Sequence, residues 1–211
     1  MRASLDKVRE SPQSTKARIL LAAEEVFAEK GFDGASTREI AARARVNISS
    51  LHYHWESKET LYVAVFERIY QQLFDTLQDD FAQPASREDA RAVIARAMGR
   101  AYDFFADHPT VPRLLMRRIM DADGFAGVPA RDAMGPAWKV FGEWTRGFVG
   151  GRMSERDVGF LMLTVQSVLL VVMLDSPHVA AIVGGSVKQA AVRNRLRTQV
   201  IGLVETLVGV H

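Results

Sequence analysis

Apolar side chains recur along this chain at intervals of three and four, the spacing of one helix face, and no stretch alternates convincingly like a half-buried strand. Ile19, Leu20, Ala23, Val26 and Phe27 form the first such stripe, which ends at Gly31 with Phe32 packed behind it. Two much shorter patterns follow in STREIAARARVNISSLHYHWESK, residues 36–58. Ser36 is placed to cap a helix beginning near Thr37, and Glu39, three residues on, to reach back to it in a capping box. Ile40 and Ala41 face inward, and Ala44 to Val46 form a break. Asn47 is a favourable N-cap for a second helix from Ile48 to about His54. Small Ala41 allows close crossing, and Val46 and Leu51 close a miniature core, as a helix-turn-helix requires. Ser57 caps the next helix.

From there the chain reads as successive helices. Leu61, Val65, Phe66, Ile69, Leu73, Phe74 and Leu77 stripe residues 58–80, and helices are expected at 87–106 and 110–120, separated at His108-Pro109 because proline biases its predecessor out of the helical region. DADGFAGVP at 121–129 reads as a loop. Trp138, Phe141, Trp144 and Phe148 line a helix at 136–149, and Ser154 with Asp157 starts the run VGFLMLTVQSVLLVVML at 158–174. The last helix spans about 187–208, and the GG pairs at 150–151 and 184–185 read as linkers. The expected fold is all-α: an N-terminal three-helix DNA-binding module over 1–56, its first residues a mobile arm, then a helical domain over 57–211.

The 158–174 run is too short for a membrane span. Its residues reach roughly 25 Å at 1.5 Å each, against about 30 Å of hydrocarbon, and Thr164, Gln166 and Ser167 interrupt its middle. A helix apolar all round needs cover on every side, from its own core on one face and a partner subunit on the other, the alternative being the central helix of a monomer.

Composition narrows the chemistry. The absence of cysteine excludes disulfides and thiolate sites and fits a cytoplasmic location, and the polar N-terminus lacks an export signal. With 27 basic against 25 acidic residues the net charge is only +2, so any nucleic-acid binding must be local. Arg38, Arg43, Arg45 and Lys58 outweigh Glu39 and Glu56 within 36–58. The outer face of the second short helix carries Ser49, Ser50 and Tyr53 beside Ile48 and His52, groups of a size to reach base edges and phosphates in a major groove.

Residues 15–62 closely resemble the TetR family of transcriptional regulators. FAEKGF at 27–32, TREIA at 37–41, LHYHW at 51–55 and SKETL at 57–61 match the family's successive phrases. Three positions depart from them: Arg45 where glycine is usual in the turn, His52 for tyrosine and Trp55 for phenylalanine. A non-glycine residue in that turn takes a positive φ at a cost or shifts the turn. If the tyrosine touches a phosphate, His52 must replace it, with an affinity that varies near neutral pH; a flat affinity between about pH 6 and 8 would count against that.

The DNA-contacting set expected on this basis is Thr37, Arg38, Asn47, Ser49, Ser50, His52, Tyr53, His54 and Lys58. Thr37 and Lys58, at helix N-termini, are assigned to phosphates, as is His54 after the family phrase. Ser49, Ser50 and Tyr53 are assigned to sequence reading. The resemblance also implies a homodimer whose last two long helices, here about 155–175 and 187–208, form a four-helix interface. Leu163, Leu170, Val200, Val204 and Leu207 are the candidate exposed positions.

For a small hydrophobic or aromatic effector the apolar material is Met98, Tyr102, Phe105, Leu115, Met116, Trp138, Phe141 and Trp144, which equally suits ordinary core. Arg113, Arg117 and Arg118 are assigned to a solvated face, with an anionic ligand as the alternative. No enzyme is expected. His52 and His54, two apart on a helix, are not the zinc-binding i, i+4 pair, and no G-x-S-x-G, phosphate loop or G-x-G-x-x-G occurs, so no metal or cofactor is assigned. The expected function is a ligand-responsive, operator-binding repressor acting on double-stranded DNA; the rival is a ligand- or protein-binding adaptor without operator binding, favoured by Arg45 and His52.

Overall fold

The computed structural model describes residues 14–80, 87–120, 142–143, 145–146, 154–174 and 177–209. These residues hold nine α-helices and no strand: α1 Thr15–Gly34, α2 Thr37–Arg43, α3 Ile48–His54, α4 Lys58–Leu77, α5 Arg87–Asp107, α6 Thr110–Met120, α7 Glu155–Val172, α8 Pro177–Val183 and α9 Ala190–Val208. A 3-10 turn, Gln78–Asp80, follows α4. The expected N-terminal arm and the helix at 136–149 lie outside the described residues, apart from four isolated positions of the latter.

Two compact units emerge. The first holds 14–71 and 113–120; the second holds 72–80, 87–112 and the described residues from 142 on. Helices α4 and α6 therefore each contribute to both.

In the first unit, α1 starts at Ser14, whose Oγ accepts from the Ala17 amide at 3.1 Å. Its apolar stripe is the core: Ile19, Leu20, Ala23, Val26 and Phe27 are all buried. Gly31 breaks the helical path at φ 74, a conformation open to glycine without steric cost, and turns Phe32 back toward the core. Phe27, Phe32 and Phe66 each meet Tyr62 edge-on, with ring centroids 4.8, 5.0 and 4.9 Å apart.

Near this bend Arg117 of α6 donates from Nε to the Ala28 carbonyl at 2.9 Å and from Nη2 to the Glu29 carbonyl at 2.5 Å. These are acceptors in the last turn before the break, where helices leave carbonyls unfilled. A buried Arg68–Glu24 ion pair ties α4 to α1. The solvated-face assignment holds for Arg113 alone of the three arginines. Arg118 continues the stripe of Val111, Leu114 and Leu115, and it is buried with its guanidinium 4.5 Å from the centre of the Phe66 ring.

In the second unit α9 lies along α5, and α7 packs on both. Arg193 bridges Asp103 and Asp107 at 2.9 Å each, and Arg197 reaches Asp103 at 3.3 Å. Gly99 leaves room for Arg197, because a Cβ there would collide with that guanidinium. Ser154 and Asp157 form a capping box with both arms present, starting α7 where the sequence placed it. Helix α8 was not foreseen: Pro177 suits a first helical position, but seven residues are too few to show a stripe.

The interface candidates need correction. Leu163 and Leu207 are exposed as expected, whereas Leu170, Val200 and Val204 are buried within this chain. Those three belong to the faces that α7 and α9 turn toward their own unit, and one helix stripe does not reveal which face a subunit keeps for itself. The open apolar positions on α7 are Phe160, Leu163 and Val171, with Leu203 and Leu207 on α9 and Ile182 on α8. No single described helix is long and apolar enough to cross a membrane.

Candidate nucleic-acid interface

Helices α2 and α3 form around four capping devices, three of them written in the local sequence. Ser36 Oγ accepts from the Glu39 amide at 3.2 Å, starting α2. The return arm of the expected box is not made: the Glu39 carboxylate instead accepts from Lys30 Nζ at 2.9 Å, joining α2 to α1. Helix α2 ends in a Schellman motif, with the Val46 amide donating to the Ala41 carbonyl and the Arg45 amide to the Ala42 carbonyl, both at 3.0 Å. This motif needs a left-handed residue after the cap, and Arg45 takes it at φ 55. Asn47 Oδ1 then accepts from the Ser50 amide at 2.6 Å and starts α3.

The fourth device comes from α1. Arg18 donates to the Ala44 carbonyl from Nε at 3.2 Å and Nη2 at 2.6 Å, and from Nη2 to the Arg45 carbonyl at 2.7 Å. One guanidinium thus holds both carbonyls that leave the turn.

Leu51 is the buried anchor of α3. Ile48, Ser49, His52 and Tyr53 are exposed, Tyr53 at 86%, while Ser50 and His54 are half-buried. An aromatic side chain so open costs contact with water, which a partner surface would relieve. Its ring stands edge-on to His54 with centroids 5.2 Å apart. Thr37 is half-buried at the start of α2 and Arg38 is exposed beside it. Asn47 is exposed, but its side-chain oxygen is taken by the cap, leaving its amide N–H groups to act on a ligand.

Lys58 departs from its expected phosphate role. Its Nζ donates to the Phe32 carbonyl at 2.8 Å and the Ala35 carbonyl at 3.1 Å, and lies 4.3 Å from the centre of the Phe32 ring. Carbonyls left unfilled where α1 gives way to α2 hold the ammonium in the free chain, so Lys58 positions that junction. At the next cap Ser57 and Thr60 exchange bonds, each hydroxyl accepting from the other's amide at 3.2 Å.

Glu29 and Glu39, on α1 and α2, are engaged with cations. Arg43 meets Glu29 through two bonds of 2.7 and 2.9 Å. That hydrogen bond holds the Glu29 carboxyl below its ordinary value, with the Arg43 and Lys30 charges adding to it.

The proposed effector residues do not form one described cluster. Met98, Tyr102 and Phe105 are buried on α5 in the second unit; Leu115 is buried and Met116 half-buried on the part of α6 in the first. Trp138, Phe141 and Trp144 lie outside the described residues. The Tyr102 hydroxyl is fully buried with no hydrogen-bond partner among the described residues, and burial raises its pKa. Two working residues had no signal in the sequence, Arg18 and Arg117, because their acceptors are 26 to 89 residues away and are backbone carbonyls.

The sequence model described as "Bacterial regulatory proteins, tetR family" matches residues 19–65, which are α1 to the first part of α4. The chain is 32% identical over 104 residues to the transcriptional repressor NicS of Pseudomonas putida, covering 48% of this chain and 46% of that one. It is 34% identical over 110 residues to the transcriptional repressor SCO4008 of Streptomyces coelicolor, covering 52% of each. Over residues 19–65 the chain is thus similar to the TetR family of bacterial regulatory proteins. It spans about half the length of these two relatives. Beyond the shared segment the likeness is one of fold: the fatty acid degradation regulator FadR of Bacillus halodurans superposes with a TM-score of 0.69 over 92% of this chain and 95% of its own, at 13% identity. Where the TetR-family pattern has glycine, this chain keeps the left-handed turn conformation with an arginine.

Proposed function

We propose that this chain is a TetR-family, ligand-responsive repressor that binds a palindromic operator as a homodimer and is released by a small hydrophobic or aromatic effector. The observation that carries the reading is the open face of α3, where Ser49, His52 and Tyr53 stand on a short helix capped by Asn47 and anchored by the buried Leu51. Ser49, Ser50 and Tyr53 read base edges; Thr37, Arg38, His52 and His54 meet phosphates; Asn47 acts through its free amide N–H groups. One such helix reads only a few base pairs, and two related by a two-fold axis read a palindrome with half-sites about 34 to 36 Å apart. The exposed Phe160, Leu163 and Val171 of α7 and Leu203 and Leu207 of α9 supply the surface that pairs the subunits.

Met98 and Phe105, buried on α5 with Tyr102 and its hydroxyl, unpartnered among the described residues, are the apolar and polar material offered to an effector. The division of labour is a DNA-binding domain over 1–56 and an effector and dimerisation domain over 57–211, the latter opening with α4, which contributes to both compact units. An effector that alters the separation of the two α3 helices weakens operator binding without touching DNA, typically by about 1 to 3 kcal/mol, or 5- to 150-fold. The protein works in the cytoplasm, where its operator is, and the regulator names of its relatives agree with a role other than catalysis.

Selection of bound duplexes from a randomised DNA library tests this reading. Enrichment of a palindrome, with sequence preference changed by Ser50→Ala, supports it. No enriched sequence even at low salt would favour the adaptor, which Arg45 and His52 recommend as departures at the turn and in α3.

A further inference from the structure

The turn between α2 and α3 holds Arg45 at φ 55, the one non-glycine residue in the left-handed region among the described residues. A Cβ crowds the following carbonyl there, so an arginine relaxes toward ordinary backbone angles unless something resists. The two Schellman bonds fix the amides entering the turn, at Arg45 and Val46. They do not fix the carbonyls leaving it. Those are held by Arg18, whose Nε and Nη2 bond the Ala44 carbonyl and whose Nη2 also bonds the Arg45 carbonyl at 2.7 Å. A planar guanidinium with donors in a rigid fork sets the direction of both at once, which a flexible ammonium would not.

Helix α3 begins only three residues after Arg45, so a change in this backbone angle swings the whole exposed face of Ser49, His52 and Tyr53. We propose that Arg18 is a positioning residue for DNA reading: its guanidinium clamps the strained Arg45 turn and thereby sets the angle at which α3 is presented. The inference rests on the operator-binding reading for its effect on DNA, but the clamp itself concerns the free protein.

The test uses the full chain as Arg18→Ala, Arg18→Ala with Arg45→Gly, and Arg18→Ala with Arg45→Gln, which removes the same charge without glycine's backbone freedom. In the free protein, Arg18→Ala is expected to speed amide exchange at Val46 about tenfold, and Arg45→Gly to recover most of it. Arg45→Gln recovers none. On the selected duplex, below the unfolding temperature of every variant, Arg18→Ala is expected to lower affinity about tenfold with an unchanged salt slope, and Arg45→Gly to bring it back within about threefold. A salt slope smaller by about one would overturn the proposal, because Arg18 would then be a phosphate contact. Equal exchange in Arg18→Ala and wild type, or no recovery with Arg45→Gly, would overturn it too. If wild type selects no duplex, the operator reading fails while the exchange measurement still decides the clamp.

Discussion

Lys58 shows how a single side chain changes role between pattern and structure. Its place at a helix N-terminus argues for a phosphate contact, yet its ammonium already bonds the Phe32 and Ala35 carbonyls. Lys58→Ala is therefore expected to cost roughly 1.5 to 3 kcal/mol of stability, the range for hydrogen bonds to a charged group, read as a lower urea midpoint. The salt slope of DNA binding should stay unchanged; a slope lower by about one would return Lys58 to the phosphates. Glu29 gives a pH dependence. Its carboxyl is held below 4.5 by Arg43 in the folded chain, so its contribution to stability is present above that value and is lost as pH falls through the lowered one. Acid unfolding of wild type should steepen there, and Glu29→Gln should flatten that part of the curve; identical curves would remove Glu29 from the linkage.

Among the elements, those begun by a capping side chain could be read closely from sequence. Ser36, Asn47 and Ser154 each accept from an amide three residues on, and α2, α3 and α7 start where that chemistry places them. Helix α6 was bounded by His108-Pro109 and runs Thr110–Met120 as expected. Its packing was not legible, because nothing local tells that Arg117 finds carbonyls at Ala28 and Glu29, or that Arg118 lies inside on Phe66. The bend at Gly31 unites these facts. Gly31→Ala is expected to destabilise by about 1 to 3 kcal/mol, since φ 74 with ψ −179 is a backbone region essentially restricted to glycine. Arg117→Ala should cost about 1.5 to 3 kcal/mol by leaving those carbonyls without its guanidinium. Chemical denaturation followed by circular dichroism measures both, and a loss under about 0.5 kcal/mol in either variant, the range of ordinary surface changes, would show that the bend does not depend on it.

At the scale of the molecule, sequence revealed that α7 is apolar all round, and the family resemblance implied that it pairs subunits together with α9, but neither told which residues each subunit keeps for itself. Leu170, Val200 and Val204 went to the subunit's own core, and Phe160 and Leu163 stayed open at 60% and 53% exposure. In the proposed dimer, Leu163→Asp gives a folded monomer by sedimentation, whereas Leu170→Asp disrupts folding; a Leu163→Asp variant that remains dimeric would move the interface elsewhere. The central claim is that two α3 helices, held at one separation by that interface, read two half-sites together. Its most direct measurement is the affinity of the selected palindrome after inserting about five or about ten base pairs, half a helical turn or a whole one, between its half-sites. The dimer predicts that the half-turn insertion, which puts the half-sites on opposite faces of the DNA, reduces affinity to that of a single half-site. Affinity unchanged by that insertion, or a single half-site bound as tightly as the palindrome, would contradict it.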